Sequence, residues 1–176
     1  MTLIHGQKIV LRPYQKTDAP TILTATQDPT VRYFTGTQAT FTLEQIEHYI
    51  DNFEGSDERV GFIIALPETL EAVGEVVILE IDQQNRSAHI RIAMFRTEDL
   101  NKGYGSEAMR LMVDYGFKTL NLHRLGLDVF TFNARAIHVY EKIGFKQEGL
   151  QRDTLFDGER FHSTVVMSIL EGEWNS

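Results

Sequence analysis

Three apolar runs stand almost end to end in the middle of this chain, and they limit the folds open to it more than any other feature. RVGFIIAL (59–66), VGEVVILEI (73–81) and RSAHIRIAMF (86–95) are separated by short polar turns, PETLEA and then Gln83, Gln84 and Asn85. Runs of this length and composition read as strands of an antiparallel meander, and KIVLRPY (8–14) adds an earlier one. Downstream the pattern changes. A helix from about Tyr104 to Lys118, a strand RLGLDVF (124–130) and a helix from about Ala134 to Lys142 alternate. FKQEGL and FHSTVVMSIL then close the chain as two strands, with Asp157 and Gly158 as the turn between them. A meander that passes into strand–helix alternation requires a mixed sheet covered by helices. The expectation is a single mixed α/β (α+β) domain over residues 1–176, with a mostly antiparallel central sheet of about six to seven strands and about four helices.

Two of those helices precede the meander. Thr17 and Asp18 offer N-cap oxygens for a helix running towards Asp28, which Pro29 interrupts. Thr42 opens the second, with Gln45 three residues on as in a capping box. Leu43, Ile46, Tyr49, Ile50 and Phe53 keep a helical period along it, and Gly55 and Ser56 end it.

Composition excludes several classes. The chain has no cysteine, so disulfides, thiolate metal sites and cysteine nucleophiles are out. No apolar run approaches the roughly 18–20 residues that cross a bilayer, and no membrane partner is expected. The opening MTLIHGQKIVLRP lacks the basic-then-apolar pattern of a secretory leader, so a cytoplasmic location is expected. A net charge of −8 argues against a nucleic-acid partner, which calls for a basic surface. The six histidines, His89, His123 and His138 among them, show no ligand-like grouping, and no metal is expected. G-x-S-x-G and H-E-x-x-H are both missing, which removes the serine-hydrolase and zinc-protease readings.

The strongest local signal is NKGYGSEA (101–108), joining the strand that ends near Phe95 to a helix with Ala108, Leu111, Met112 and Tyr115 on one face. Glycines at 103 and 105 let main chain approach a ligand closely. Free N–H groups at the helix start, aided by the helix dipole, then favour an anion such as a diphosphate. Lys102 adds a positive charge at the mouth. The competing bland reading is a tight turn and nothing more. Gly103, Gly105 and Ala108 also satisfy the dinucleotide fingerprint G-x-G-x-x-[GA], and Asp128 lies 20 residues past Ala108, where a ribose-binding acid would stand. Against that, RTEDLNK intervenes between strand and glycines, four strands precede the loop, and too little chain follows for a doubly wound sheet.

The second segment is FNARAIHVYEKIGF (132–145). Asn133 caps a short helix after a strand, and Tyr140 sits one turn beyond Ala136 on the same face. A tyrosine there is either a core residue with a satisfied hydroxyl or a functional hydroxyl facing the phosphate loop.

Taken in order, strand, x-x-x-G-x-G, helix, strand and N-x-x-A-x-x-x-Y-x-K-x-G-F resemble the GNAT superfamily of acetyltransferases. Within it the chain resembles the RimJ/RimL type, with spermidine acetyltransferases as near neighbours. The resemblance covers nearly the whole chain, including IVLRPYQKTD, DPTVRYF (28–34), VGEVVILEID (73–82), NRSA (85–88), DYGF with LNLHRL (114–125), and VVMSIL. It implies acetyl-CoA as cosubstrate, an amine as acceptor and an N-acetyltransferase activity. It also implies a splay between the strand ending at Met94 and RLGLDVF. The pantetheine arm would lie there along the main chain of Ile92, Ala93 and Met94. The diphosphate would sit on the N–H groups from Asn101 to Ser106, a stretch that takes in Lys102, Gly103, Tyr104 and Gly105, with Leu100 just before it. Asn133 would bond the pantetheine amides, and Ala136 would let the arm approach. Tyr140 matches the general acid, and Lys142 a position that reaches the coenzyme's phosphates. The sequence departs from the pattern at Leu100, where an aromatic, Arg or Gln is frequent, at Asn101, where glycine is common, and at Ser163, where the closing strand often carries an aspartate.

The general base is left open between Glu75 and a water relay. So is the role of Glu44, Glu47, Asp51 and Glu54, which share one face of the helix from Thr42. They either draw in a cationic acceptor or form a solvated outer face opposite the apolar stripe. A non-catalytic acyl-CoA sensor on the same fold is the alternative to an enzyme. The sequence leaves the oligomeric state open, with a homodimer as the expectation.

Overall fold

The computed structural model describes residues 3–175. Eight strands form one sheet: β1 Ile4–His5, β2 Val10–Arg12, β3 Val60–Ala65, β4 Ala72–Asp82, β5 Ser87–Met94, β6 Arg124–Phe130, β7 Lys146–Phe156 and β8 Phe161–Leu170. Five α-helices cover it: α1 Ala19–Gln27, α2 Pro29–Thr35, α3 Leu43–Asp51, α4 Tyr104–Lys118 and α5 Ala134–Ile143. The sheet order is β1-β2-β3-β4-β5-β6-β8-β7, and every neighbouring pair is antiparallel except β5 and β6. A sheet with one parallel pair has no doubly wound half, so the dinucleotide reading of Gly103, Gly105 and Asp128 falls on topology.

The mixed, mostly antiparallel single domain is as expected, with one more strand and one more helix than the sequence suggested. The extra strand β1 has two residues, too few to leave a period. The extra helix is α2. Pro29 reads as a breaker, yet here it is the first helical residue, where its missing N–H costs nothing. Asp28 caps it, accepting from the N–H groups of Thr30 (2.8 Å) and Val31 (3.0 Å), and Gly36 ends it in the left-handed region at φ 67°. The capping box of α3 forms as read: Gln45 N–H donates to Thr42 Oγ1 at 3.2 Å, and Thr42 N–H to Gln45 Oε1 at 2.9 Å.

Two cores sandwich the sheet. On one face α4 packs Ala108, Met109, Met112 and Val113 against Val76, Ile78, Ile90, Leu125, Leu127 and Val129. On the other, α1 and α3 bury Ile22, Ala25, Ile46 and Ile50 against Val10, Ile63, Ala65 and Phe95. A buried ion pair pins α1 to the sheet: Arg12 holds Asp18 in two-pronged fashion at 2.7 and 2.9 Å, and also donates to the carbonyls of Pro13 and Leu70. Removing one member of such a pair strands a charge and costs about 3–5 kcal/mol.

The feature that positions the site is the parallel pair. β5 and β6 pair only at Ser87–Arg124, Ala88–Leu125 and His89–Gly126. Beyond them the strands diverge, so residues 90–94 have a partner in β4 but none on the β6 side.

Candidate active site

The divergence of β5 and β6 opens a cavity of about 780 Å³ that runs from the start of α4, through the gap, to α1, α2 and α3 on the opposite face of the sheet. That is ample for a ligand site. Its two ends are built differently.

The α4 end is main chain. Gly103, the residue before α4, takes φ 84°, and Asn101 takes φ 65°. These left-handed turns swing the loop so that α4 starts beside the unpaired end of β5. Among the described residues no side chain caps α4, and its first internal bond is Glu107 N–H to Gly103 O at 3.1 Å. The N–H groups of Tyr104, Gly105 and Ser106 are thereby left to a ligand, at the positive end of a 15-residue helix. A Cβ on Gly105 would stand 3.7 Å from Ile92 and Met94, an ordinary contact, so its small size leaves space for a guest rather than for the protein. Lys8 brings a second cation to the loop, its Nζ donating to the Lys102 carbonyl at 3.3 Å. Glu107 holds that N-terminal segment in place, its carboxylate accepting from the N–H groups of Gln7, Lys8 and Ile9.

On α5, Asn133 caps the helix through Oδ1 from Ala136 N–H at 3.3 Å, which leaves its Nδ2 as the group free to donate. Tyr140 is half-buried and packs against the α4-side core, with Phe145 at 6.1 Å between ring centres. Burial pushes its hydroxyl up to about 12, so it is a phenol, not a phenolate, at neutral pH.

The other end is side chain. Glu75 and Ala93 are cross-strand partners, and Val77 pairs with Arg91, so all four share the α1–α3 face. Glu75 Oε2 accepts from Tyr14 OH at 2.6 Å and from Tyr49 OH at 3.1 Å. Arg91 donates to the Tyr49 oxygen at 2.6 Å, with its guanidinium 5.7 Å from that ring's centre. Burial first, and the Glu75 charge second, drive both tyrosines well above their ordinary range. The second carboxylate oxygen, Oε1, takes no hydrogen bond from the described residues.

Ile92, Ala93, Met94, Leu100, Asn101, Gly103, Tyr104, Gly105, Ser106, Asn133, Ala136 and Tyr140 all line this one cavity, as does Glu75. Lys102 and Lys142 are exposed and outside its wall; Lys102 lies 3.8 Å from buried Asp99. Ser163 is likewise outside it and accepts from Asp153 N–H at 3.1 Å. Gln45, Ile46 and Tyr49 of α3 line the cavity, whereas Glu44, Glu47, Asp51 and Glu54 do not: Glu44 and Asp51 are exposed, with Asp51 3.4 Å from Lys16, Glu47 is half-buried, and Glu54 is exposed just past the end of α3. The sequence reading did not find Lys8, Tyr14, Tyr49 or Arg91. Arg91 and Tyr49 share no local pattern, although the i/i+2 alternation of β5 puts Arg91 on the face of Ala93.

A family model described as an acetyltransferase (GNAT) domain matches residues 8–146. The chain belongs to this GNAT acetyltransferase family. It is an N-acetyltransferase and uses acetyl-CoA as cosubstrate. It is 29% identical to the uncharacterized N-acetyltransferase p20 of Bacillus licheniformis over 99% of both chains. It is 35% identical to the spermidine N(1)-acetyltransferase of Escherichia coli K12 over 104 residues, 59% of this chain and 55% of that one. Among solved structures, the spermidine N-acetyltransferase of Vibrio cholerae in complex with CoA and spermine shares the fold at a TM-score of 0.87 and 24% identity, covering 96% of this chain and 98% of that one.

Proposed function

We propose that this chain transfers the acetyl group of acetyl-CoA to a primary amine by direct attack, with both substrates in the one cavity. The observation that carries the reading is the continuity of that cavity. It joins uncapped helix N–H groups suited to a diphosphate to a carboxylate suited to an amine, with Tyr140 between strand gap and core. Acetyl-CoA supplies the thioester carbonyl. The N–H groups of Tyr104, Gly105 and Ser106 bind the diphosphate, and the unpaired edge of Ile92, Ala93 and Met94 takes the pantetheine arm as an added strand. Asn133 Nδ2 donates to that arm, and Ala136 admits it. Lys102 and Lys142 serve the phosphates from outside the wall, together with Lys8.

An alkylamine has a pKa near 10 and must lose a proton before it attacks. Glu75 Oε1 takes that proton, directly or through one water. The amine nitrogen then bonds to the acetyl carbon, a main-chain N–H near Met94 steadies the oxyanion, and the carbon–sulfur bond breaks. Tyr140 gives its proton to the departing sulfur and is reprotonated by the second proton that leaves the acylated nitrogen, so that one proton, the one first taken by Glu75, is released per turnover. A placed acid or base contributes about 10²–10⁴ in rate, and one oxyanion donor about 10²–10³. The expected setting is cytoplasmic and the expected assembly a homodimer, read by light scattering. The activity is tested by calorimetry with acetyl-CoA and by release of the coenzyme thiol across a panel of primary amines. Binding with amine-dependent thiol release supports the reading, and binding without release for any amine overturns it.

A further inference from the structure

The charges on the acceptor side of the cavity add up to a definite demand. Strand alternation settles which residues stand there. Leu125, Leu127 and Val129 of β6 are buried under α4, so Gly126, Asp128 and Phe130 present the opposite face. α2 confirms this, because Gly36, which ends it, lies directly against the Phe130 ring. Arg91 and Asp128 each lie two residues beyond the last β5–β6 pair on that face, His89–Gly126, on strands that diverge. The charged groups lining the acceptor side are therefore Glu75, Asp128 and Arg91; Arg96 and Asp99 stand on the loop to α4 and are paired together at 2.7 Å, and Arg135 stands beside Asn133 on α5. Two carboxylates and one guanidinium leave one net negative charge. Glu75 is bound by two tyrosine hydroxyls, and Arg91 by Tyr49. Asp128 is exposed to the cavity and has no hydrogen bond or ion pair among the described residues.

The remaining wall holds no further charge: Thr26, Thr30, Thr35, Thr37 and Gln45 give it hydroxyls and an amide, and Ile22, Val31, Phe34 and Phe130 make its apolar part. The ring of Phe130 stacks on Phe132 at 5.3 Å, and Tyr33 stacks on Phe132 at 4.5 Å. A cavity of this kind pairs one ammonium. Each further ammonium would find hydroxyls and apolar carbon but no carboxylate to pair with, which disfavours it. The acids that might have welcomed a polycation, Glu44, Glu47, Asp51 and Glu54, are all outside the cavity wall.

We propose that the acceptor is a monocationic primary amine on an apolar body, aromatic or branched, with Asp128 holding the ammonium and Val31, Phe34 and Phe130 receiving the body. The proposal rests on the N-acetyltransferase reading above and narrows it. Asp128 is a binding residue here, distinct from Glu75, which takes the proton.

The test compares 2-phenylethylamine, isopentylamine and spermidine as acceptors, by thiol release, with the acetyl-CoA dissociation constant measured alongside. The expected kcat/KM for either monoamine exceeds that for spermidine by at least about ten-fold. Asp128→Asn raises KM for the monoamines about ten-fold, with kcat within about two-fold and acetyl-CoA affinity unchanged, because Asp128 pairs with the ammonium on binding and with the positive charge that returns to the nitrogen as the neutral amine attacks. Spermidine as the preferred acceptor, or an Asp128→Asn enzyme with unaltered KM, overturns the proposal and leaves the acetyltransferase reading intact. Acetyl-CoA binding with no amine turned over overturns both the acceptor class and the transfer. No acetyl-CoA binding overturns the cavity's assignment at both ends.

Discussion

The two ends of the cavity do the same kind of work with different material. At the α4 end, the proposed diphosphate site uses main-chain N–H groups and two glycines from one stretch, residues 101–106. At the α1–α3 end, Tyr49, Glu75, Arg91 and Asp128 come from four separate elements, α3, β4, β5 and β6, and Tyr14 from the segment after β2 holds Glu75. A main-chain site recognises what every acetyl-CoA shares and tolerates side-chain change around it. A side-chain site is a specificity device, and a single substitution re-aims it.

That contrast can be broken at several points. The largest expected effect is at Gly105. Gly105→Val raises the acetyl-CoA dissociation constant about 100-fold, and Gly105→Ala about ten-fold, since the added carbons fill space meant for the ligand. The melting temperature of the alanine variant stays put, because its Cβ meets the protein at 3.7 Å. Gly103 is a poorer probe than the sequence suggests. Its φ of 84° strains any side chain, so a substitution there disturbs the loop as well as the ligand. Coenzyme affinity unmoved in calorimetry for Gly105→Val would remove the loop from the site.

Next in size is Glu75→Gln, which keeps an acceptor for both tyrosines and loses the base. It lowers kcat about 10²-fold at pH 7 with coenzyme affinity unchanged. The deficit shrinks as pH rises towards the amine's own pKa, because solvent then supplies neutral amine. A pH-independent deficit would point to a structural role instead.

The smallest effect is expected on α3. Changing Glu47 and Asp51 together to Gln and Asn leaves KM for any amine within about two-fold, as charges outside the cavity wall act on the amine only through a screened field. A steep rise in KM, lost at high salt, would bring the acidic face back into acceptor recruitment.

The difference between the two ends also explains what was legible in the sequence. NKGYGSEA could be read because a main-chain anion site is local: glycines, a helix start and their order are all in eight residues. The α5 segment could be read for the same reason, with Asn133 at one end and Gly144, at φ 125°, at the other. α2 could not, because the interrupting proline and the helix-starting proline are the same residue, and only Asp28 tells them apart. β7 runs on to Phe156 through QRDTLF, an exposed edge whose polar residues leave no alternation to detect. The acceptor end was out of reach beyond Glu75. Tyr14 and Tyr49 meet it only once β2, α3 and β4 are assembled, and no spacing along the chain encodes that meeting. Lys8 reaches Lys102 across 94 residues, again through tertiary structure alone.

The account depends most on Tyr140 as the acid that releases the thiol from within the strand gap. The direct measurement is kcat for Tyr140→Phe against the unaltered enzyme from pH 6 to 10, with the acetyl-CoA dissociation constant taken in parallel. Burial holds the Tyr140 pKa at about 12, so the protonated, acid-competent form persists across that whole range. The unaltered enzyme therefore shows no alkaline fall in kcat up to pH 10. Tyr140→Phe lowers kcat by about ten-fold or more at every pH and leaves coenzyme affinity unchanged, since the ring still packs and only the proton donor is gone. A phenylalanine enzyme that turns over at the original rate would contradict the account.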